Sequence, residues 1–107
     1  MKTTDGTPNG AHDLQVVVLG LNHRRATLVL RECLSFPPCD LEAALDEMRS
    51  YVTEGAILST CHRVELYAVA SDLRRAEAQL KRFWSRQRGV PAGEFEPHLY
   101  YLTGRKA

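Results

Sequence analysis

The stretch AILSTCHRVELYAVA, residues 56–70, decides the fold, because it holds two β-like runs with almost nothing between them. Ala56–Thr60 is one run and Val64–Ala70 the other, joined by Cys61, His62 and Arg63. In the second run Val64, Leu66 and Ala68 alternate with Glu65, Tyr67 and Val69, the period of two expected of a strand. A plain hairpin would place Gly, Asn or Asp at the corner, since those residues tolerate positive φ. A cysteine followed by two basic side chains leaves two readings open: a reactive corner, or an ordinary connection that contains a thiol.

Helical patterns flank this pair. Upstream, Asp40 reads as an N-cap, and Leu41, Ala44, Leu45, Met48 and Val52 repeat at helical spacing, with Gly55 ending the element. Downstream, Ser71 reads as the N-cap of a helix over 72–88 whose apolar stripe is Leu73, Ala76, Leu80 and Phe83 or Trp84. Its other face is basic: Arg74, Arg75, Lys81, Arg82, Arg86 and Arg88. Gly89 and Pro91 close it. Further out, the β-branched run Leu14–Leu21 predicts a central strand buried on both faces, and His98–Thr103 a last strand. A short helix over Leu28–Phe36, stopped by Pro37-Pro38, follows the first strand.

The order strand, helix, strand, strand, helix, strand predicts an α+β fold: a ferredoxin-like βαββαβ sandwich, an antiparallel sheet with helices on one face and a short extra helix after the first strand. Residues 1–13, polar and rich in Gly, Thr, Asn and Pro, read as a disordered leader, and 14–107 as one domain.

Composition bounds the function. At 107 residues, 44% hydrophobic and 25% charged, the chain is an ordinary globular domain with a modest core. A formal charge of +1 excludes a polybasic coat or an acidic tail. No run is long and apolar enough to cross a membrane, and the N-terminus lacks a signal peptide's apolar core. Three cysteines without regular spacing argue against a disulfide framework and for a reducing cytoplasm. Cys33 and Cys39 lack the close ligand pairing that zinc needs, so no metal is expected, and they read as small apolar residues near the first helices. No G-x-G-x-x-G or Walker loop offers a nucleotide cradle.

Cys61 remains. Composition alone favours an inert buried thiol. Its context favours an accessible nucleophile: Arg63 supplies fixed positive charge of the kind that favours thiolate and could hold a carboxylate, His62 could act as a base, and Thr60 offers a hydroxyl. His23, in the polar break Asn22–Thr27 at the end of the first strand, could approach the same edge or be a satisfied loop histidine. The basic helix face reads as solvated surface or as an RNA contact.

The segments VVVLGLNHRRATLVLRECLSF (16–36) and GAILSTCHRVELYAV (55–69) resemble the N-terminal catalytic domain of the glutamyl-tRNA reductases, over about Gln15 to Gly104. The pattern S-T-C-x-R-x-E at Ser59–Glu65 is specific. The resemblance implies that the Cys61 thiolate attacks the ester of glutamyl-tRNA to form a thioester, which NADPH reduces to glutamate-1-semialdehyde in tetrapyrrole (porphyrin) biosynthesis. It implies substrate contacts from Thr60, Cys61, His62 and Arg63, with Arg63 on the glutamyl carboxylate and Asn22 and His23 as possible lining. It also implies NADPH-binding and dimerisation domains beyond Ala107, a homodimer, and an aminomutase partner downstream. This domain alone would then be at most an esterase, because water hydrolyses a thioester left without a hydride donor. The family pattern has Asn where His62 stands here, and a Thr and a Pro where Arg25 and Thr27 stand. The alternative reading is a non-catalytic ferredoxin-like module that contacts tRNA or a protein.

Overall fold

The computed structural model describes residues 14–105, so the leader expected over 1–13 lies outside the described residues. Strand β1 (Gln15–Asn22) is β-branched and apolar, and strands β2 (Gly55–Ser59) and β3 (Arg63–Ala70) follow the two runs of the opening stretch. Strand β4 (Tyr100–Arg105) completes one four-stranded sheet in the order β2-β3-β1-β4. Every pairing is antiparallel: Val18 lies opposite Tyr67 on β3 and Leu102 on β4, and Ile57 of β2 lies opposite Leu66.

β1 is central, as expected, but it is not buried on both faces. Val17, Leu19 and Leu21 are fully buried whereas Val16 and Val18 are half-buried. An antiparallel sheet can leave one face without helices. Here Val17, Leu19, Leu21, Val64, Leu66 and Ala68 form the core with the helices, while Leu102 on the opposite face is exposed. The alternation is hidden in the sequence because both faces of β1 carry apolar side chains.

The helices follow their patterns with local corrections. Helix α1 (Leu28–Leu34) is opened by the Thr27 hydroxyl, which accepts from the Leu30 amide at 3.2 Å. Helix α2 (Leu41–Met48) buries Ala44 and Met48, and is shorter than expected: Val52 lies in the turn beyond it, and Gly55 opens β2 instead of ending the helix. Asp40 makes no capping bond, because the chain enters α2 through a 3-10 turn at Pro38–Asp40. Its carboxylate instead pairs with Arg88 at 3.3 Å. Helix α3 (Leu73–Arg88) is capped by Asp72 and not by Ser71, the carboxylate accepting from the Arg75 amide at 3.0 Å. Gly89 closes it with φ of 69°, a left-handed position that glycine fills without strain.

Phe83 and Trp84 are both buried, since adjacent helix positions fit within one broad apolar stripe. A short helix α4 (Ala92–Phe95) and a 3-10 turn at Glu96–His98, absent from the sequence reading, shift the last strand from His98–Thr103 to Tyr100–Arg105. Cys33 and Cys39 lie on the first helical elements, as expected, and both are exposed, since α1 turns Leu34 inward and the 3-10 turn carries Cys39 on its outside.

Trp84 closes the core. Its indole N–H donates to the Leu34 carbonyl at 2.9 Å across 50 residues of sequence, and its ring meets Phe95 at 5.6 Å. Phe83 stacks on Phe36 at 6.2 Å and takes Tyr51 edge-on at 5.6 Å. Trp84→Phe keeps most of the packing but strands a buried carbonyl at the end of α1. Chemical denaturation should show a loss of roughly 1–3 kcal/mol.

Tyr101 donates its hydroxyl to the Leu73 carbonyl at 2.7 Å. Burial, then the charges of Glu77 and Asp72, push its pKa from 10.0 up to about 12. A raised folded-state pKa binds the proton more tightly than the unfolded chain, so its stabilising contribution is complete below pH 10 and is lost as pH rises toward 12. Thermal unfolding followed over that window should show a falling midpoint, and Tyr101→Phe should flatten the fall.

Candidate active site

The corner between β2 and β3 is made by a hydroxyl. The Thr60 amide donates to the Arg63 carbonyl at 2.9 Å, and Thr60 Oγ1 accepts from the His62 and Arg63 amides, each at 3.2 Å. The same hydroxyl donates to the Arg63 carbonyl at 3.3 Å. A side-chain oxygen therefore closes the turn in place of the Asn or Gly of a plain hairpin. Thr60 was expected to offer a donor beside Cys61; its donor is already used by the main chain.

Two other segments converge on this corner. Asn22 ends β1 and organises the following turn: its carbonyl accepts from the Arg25 and Ala26 amides at 3.1 Å, and its Oδ1 from the Arg24 amide at 3.0 Å. The turn delivers His23, whose amide donates to the His62 carbonyl at 3.0 Å while the two imidazoles meet edge to face at 5.7 Å. Arg31 of α1 donates through Nη1 to the Cys61 carbonyl at 2.7 Å and through Nε to the Ala26 carbonyl at 3.3 Å. The Phe36 amide donates to the Ser59 hydroxyl at 2.9 Å. Asn22, His23, Thr60, Cys61, His62 and Arg63 thus all fall on segments that meet at one place, with the Cys61 thiol exposed.

Between α1 and the corner lies a cleft of about 290 Å³, with Leu28, Arg31, Phe36, Ser59, Thr60 and Cys61 in its wall. On the other side of Cys61 a shallower surface is bounded by His23, Leu28, Arg31 and His62. A cavity of the same size at the far end of the sheet, between Tyr51, Val69 and Asp72, has no cysteine or histidine in its lining. Cys61 is therefore flanked by apolar surface from Leu28, two imidazoles and one guanidinium fixed on its own carbonyl.

Arg63 opens β3 on the sheet face that carries Glu65, and its Nε lies 3.9 Å from Glu65 Oε1. Glu65 is only 7% exposed and its two oxygens are already occupied. Tyr67 donates to Oε1 and Tyr100 to Oε2, both at 2.5 Å. Both tyrosine hydroxyls have their pKa raised above the ordinary value, Tyr100 strongly. For Tyr67 the bond to Glu65 is the first cause; for Tyr100 it is burial, followed by that bond. Gly20, across the strands, leaves room for this group, since a Cβ there would sit 2.8 Å from both Glu65 Cγ and the Tyr100 hydroxyl. Tyr100 is steadied by Arg25, whose guanidinium lies 5.8 Å from its ring centre and donates to the Leu99 carbonyl at 3.4 Å.

Arg31, Glu65, Tyr67 and Tyr100 were not singled out from the sequence as site residues. The signal for Glu65 was present as the one charged side chain inside the run Val64–Ala70, and that for Arg31 as a cation on a short helix beside the polar break. Tyr100 gave none, because its partner lies 35 residues away. The basic face of α3 is partly neutralised: Lys81 pairs with Glu77 at 3.1 Å and Glu96 at 3.0 Å, and Arg88 with Asp40, whereas Arg74, Arg75, Arg82 and Arg86 are exposed. Among the described residues no group of three His, Cys, Asp or Glu side chains could hold a metal ion, and no helix is long and apolar enough to cross a membrane.

The chain is similar to curated proteins named glutamyl-tRNA reductase. The relative from Geotalea daltonii is 40% identical over 96 residues, which cover 88% of this chain and 22% of that protein. Those from Geobacter sulfurreducens and Synechococcus elongatus are 41% and 38% identical over the same shares. The chain thus spans about a fifth of the length of the curated relatives it matches. Among solved structures, glutamyl-tRNA reductase from Methanopyrus kandleri matches with a TM-score of 0.53 at 25% identity, over 89% of this chain and 19% of that one. The family model described as glutamyl-tRNAGlu reductase, N-terminal domain, matches residues 19–107, and on that match the chain belongs to the glutamyl-tRNA reductase N-terminal domain family.

Proposed function

We propose that this domain carries out the thioester-forming step of a cytoplasmic glutamyl-tRNA reductase, with Cys61 as its nucleophile. The observation that carries the reading is an exposed thiol at a corner whose main chain is fixed from two sides, by Arg31 and by Thr60, within the Ser59–Glu65 pattern of the matched family. The Cys61 thiolate attacks the ester carbonyl carbon of the glutamyl group. The bond to the terminal ribose oxygen breaks, that oxygen takes a proton, and a glutamyl thioester remains on Sγ. Arg63, more than half exposed, holds a carboxylate of the glutamyl group, and His62 or His23, whose rings meet edge to face beside the corner, moves the proton. The exposed arginines of α3, Arg74, Arg75, Arg82 and Arg86, give the tRNA backbone a basic surface.

The four-stranded antiparallel sheet in the order β2-β3-β1-β4, with α2 and α3 on its buried face, supports the ferredoxin-like reading. The family's reduction step uses NADPH, and the described residues do not fit it. A dinucleotide needs a glycine-rich strand–turn–helix with backbone amides free for the pyrophosphate. Here the amides of the turn after β1 are taken by Asn22. The hydride step therefore lies outside this reading of the domain.

Incubation with glutamyl-tRNA, and separately with a small glutamyl ester, should leave a glutamyl adduct on the Cys61 peptide, read by mass spectrometry, with Cys33 and Cys39 unmodified. Arg63→Gln should slow its formation about 10- to 100-fold, the worth of a lost hydrogen bond between charged groups. Failure to find an adduct on Cys61 with either ester would overturn the proposal. An adduct from the small ester alone would keep the nucleophile and remove the tRNA contact.

Arg31→Met conserves much of the side-chain volume but releases the Cys61 and Ala26 carbonyls together. Adduct formation should fall about tenfold, with a loss of roughly 1–2 kcal/mol in unfolding free energy. An unchanged rate would show that the corner holds its shape without α1.

A further inference from the structure

We propose that Tyr100 and Tyr67 are positioning residues that keep Arg63 available to an incoming carboxylate by occupying the oxygens of Glu65. This rests on the reading of Arg63 as the carboxylate partner in the site above. A carboxylate as buried as Glu65 must have its acceptor sites filled, and an arginine two residues away is the natural donor. In most such pairs the guanidinium would close on the carboxylate as a bidentate fork. Here it does not. Nε stays at 3.9 Å from Oε1, within ion-pair range but too far for a hydrogen bond, while a tyrosine hydroxyl sits on each oxygen at 2.5 Å.

The arrangement is built by elements distant in sequence. Tyr67 comes from Glu65's own strand. Tyr100 arrives with β4, fits only because Gly20 has no side chain, and carries the Arg25 guanidinium over its ring. The outcome is a buried anion whose charge keeps Arg63 near, while its hydrogen-bonding capacity is spent elsewhere. Arg63 remains 55% exposed, with its guanidinium donors uncommitted to Glu65. Removing one tyrosine hydroxyl leaves a buried carboxylate oxygen without a donor, and Arg63 is the nearest cation to fill it. It would then be withdrawn from the site.

The test compares alkylation of Cys61 by iodoacetate and by iodoacetamide, reagents of similar size that differ in a carboxylate, with Cys33 and Cys39 as controls in the same digest. In the wild-type chain the iodoacetate-to-iodoacetamide ratio at Cys61 should exceed that at the controls. Arg63→Gln should lower it about three- to fivefold, as expected for an exposed charge pair. Tyr100→Phe should lower the ratio similarly while leaving the iodoacetamide rate unchanged, and adding Glu65→Gln to it should restore the ratio, since the competing anion is gone. Tyr67→Phe is the independent variant should Tyr100→Phe not fold.

If Arg63→Gln lowers the ratio and neither tyrosine variant does, the tyrosines are structural only and this inference is overturned. If Arg63→Gln itself has no effect, Arg63 is not the carboxylate partner, and the functional reading fails with the inference that depends on it. Rescue by Glu65→Gln is the result that a merely structural role for the tyrosines would not give.

Discussion

The hydrogen bond from the Trp84 indole to the Leu34 carbonyl is the constraint on which the arrangement of the domain depends. It joins the last turn of α1 to the middle of α3 through the fully buried part of the core, where no water can substitute for either group. Once the end of α1 is fixed there, its first turn projects over the β2–β3 corner. Arg31 can then reach the Cys61 carbonyl. A core contact between two helices thus determines where a thiol on a strand connection points. The Phe36–Phe83 stack and the Phe36 amide on Ser59 reinforce the same link from the segment after α1.

Two arginines have been separated into different tasks by their surroundings. Arg31 spends its donors on main-chain carbonyls and so acts on geometry. Arg63 is kept near a buried anion without being consumed by it. The separation follows from placement: Arg31 lies between a helix and two loops that present unsatisfied carbonyls, whereas Arg63 lies on an open sheet face beside a carboxylate already filled by hydroxyls. A guanidinium on a dry carboxylate would gain strong, directional bonds, and the tyrosines prevent that outcome at this one position.

Much of the architecture was legible because it rests on periodicity. The alternation of Val64, Leu66 and Ala68 and the helical stripe of α3 each identified a buried face, and the pairing of β1 with β3 brings the segment of Asn22 and His23 beside that of Thr60–Arg63. What was misjudged rests on short-range competition. Asp72 took the cap from Ser71, since both are good caps one residue apart. Asp40 lost its cap to the 3-10 turn that leads into α2, and its carboxylate pairs instead with Arg88, 48 residues on, a partner that no local reading carries. Which side Cys33 and Cys39 take was not readable, because residue type says little about side in a helix of two turns or in a single 3-10 turn. The tyrosine pair on Glu65 was hidden for the same reason as Asp40: its decisive member belongs to the last strand.

The turn that carries Cys61 offers its main-chain atoms and the Thr60 hydroxyl as its own points of attachment, with the Arg31 guanidinium reaching in to the Cys61 carbonyl. Among the described residues no hydrogen bond uses the side chain at position 61, and the imidazole at 62 meets that of His23 edge-on. The scaffold is in this sense indifferent to what it presents. An asparagine, or the histidine found here, can occupy position 62 without redrawing the backbone, and a hydroxyl or a selenol could replace the thiol at 61. The side chains at 61 and 62 can therefore drift, or be exchanged by an engineer, as interchangeable heads on a fixed mount.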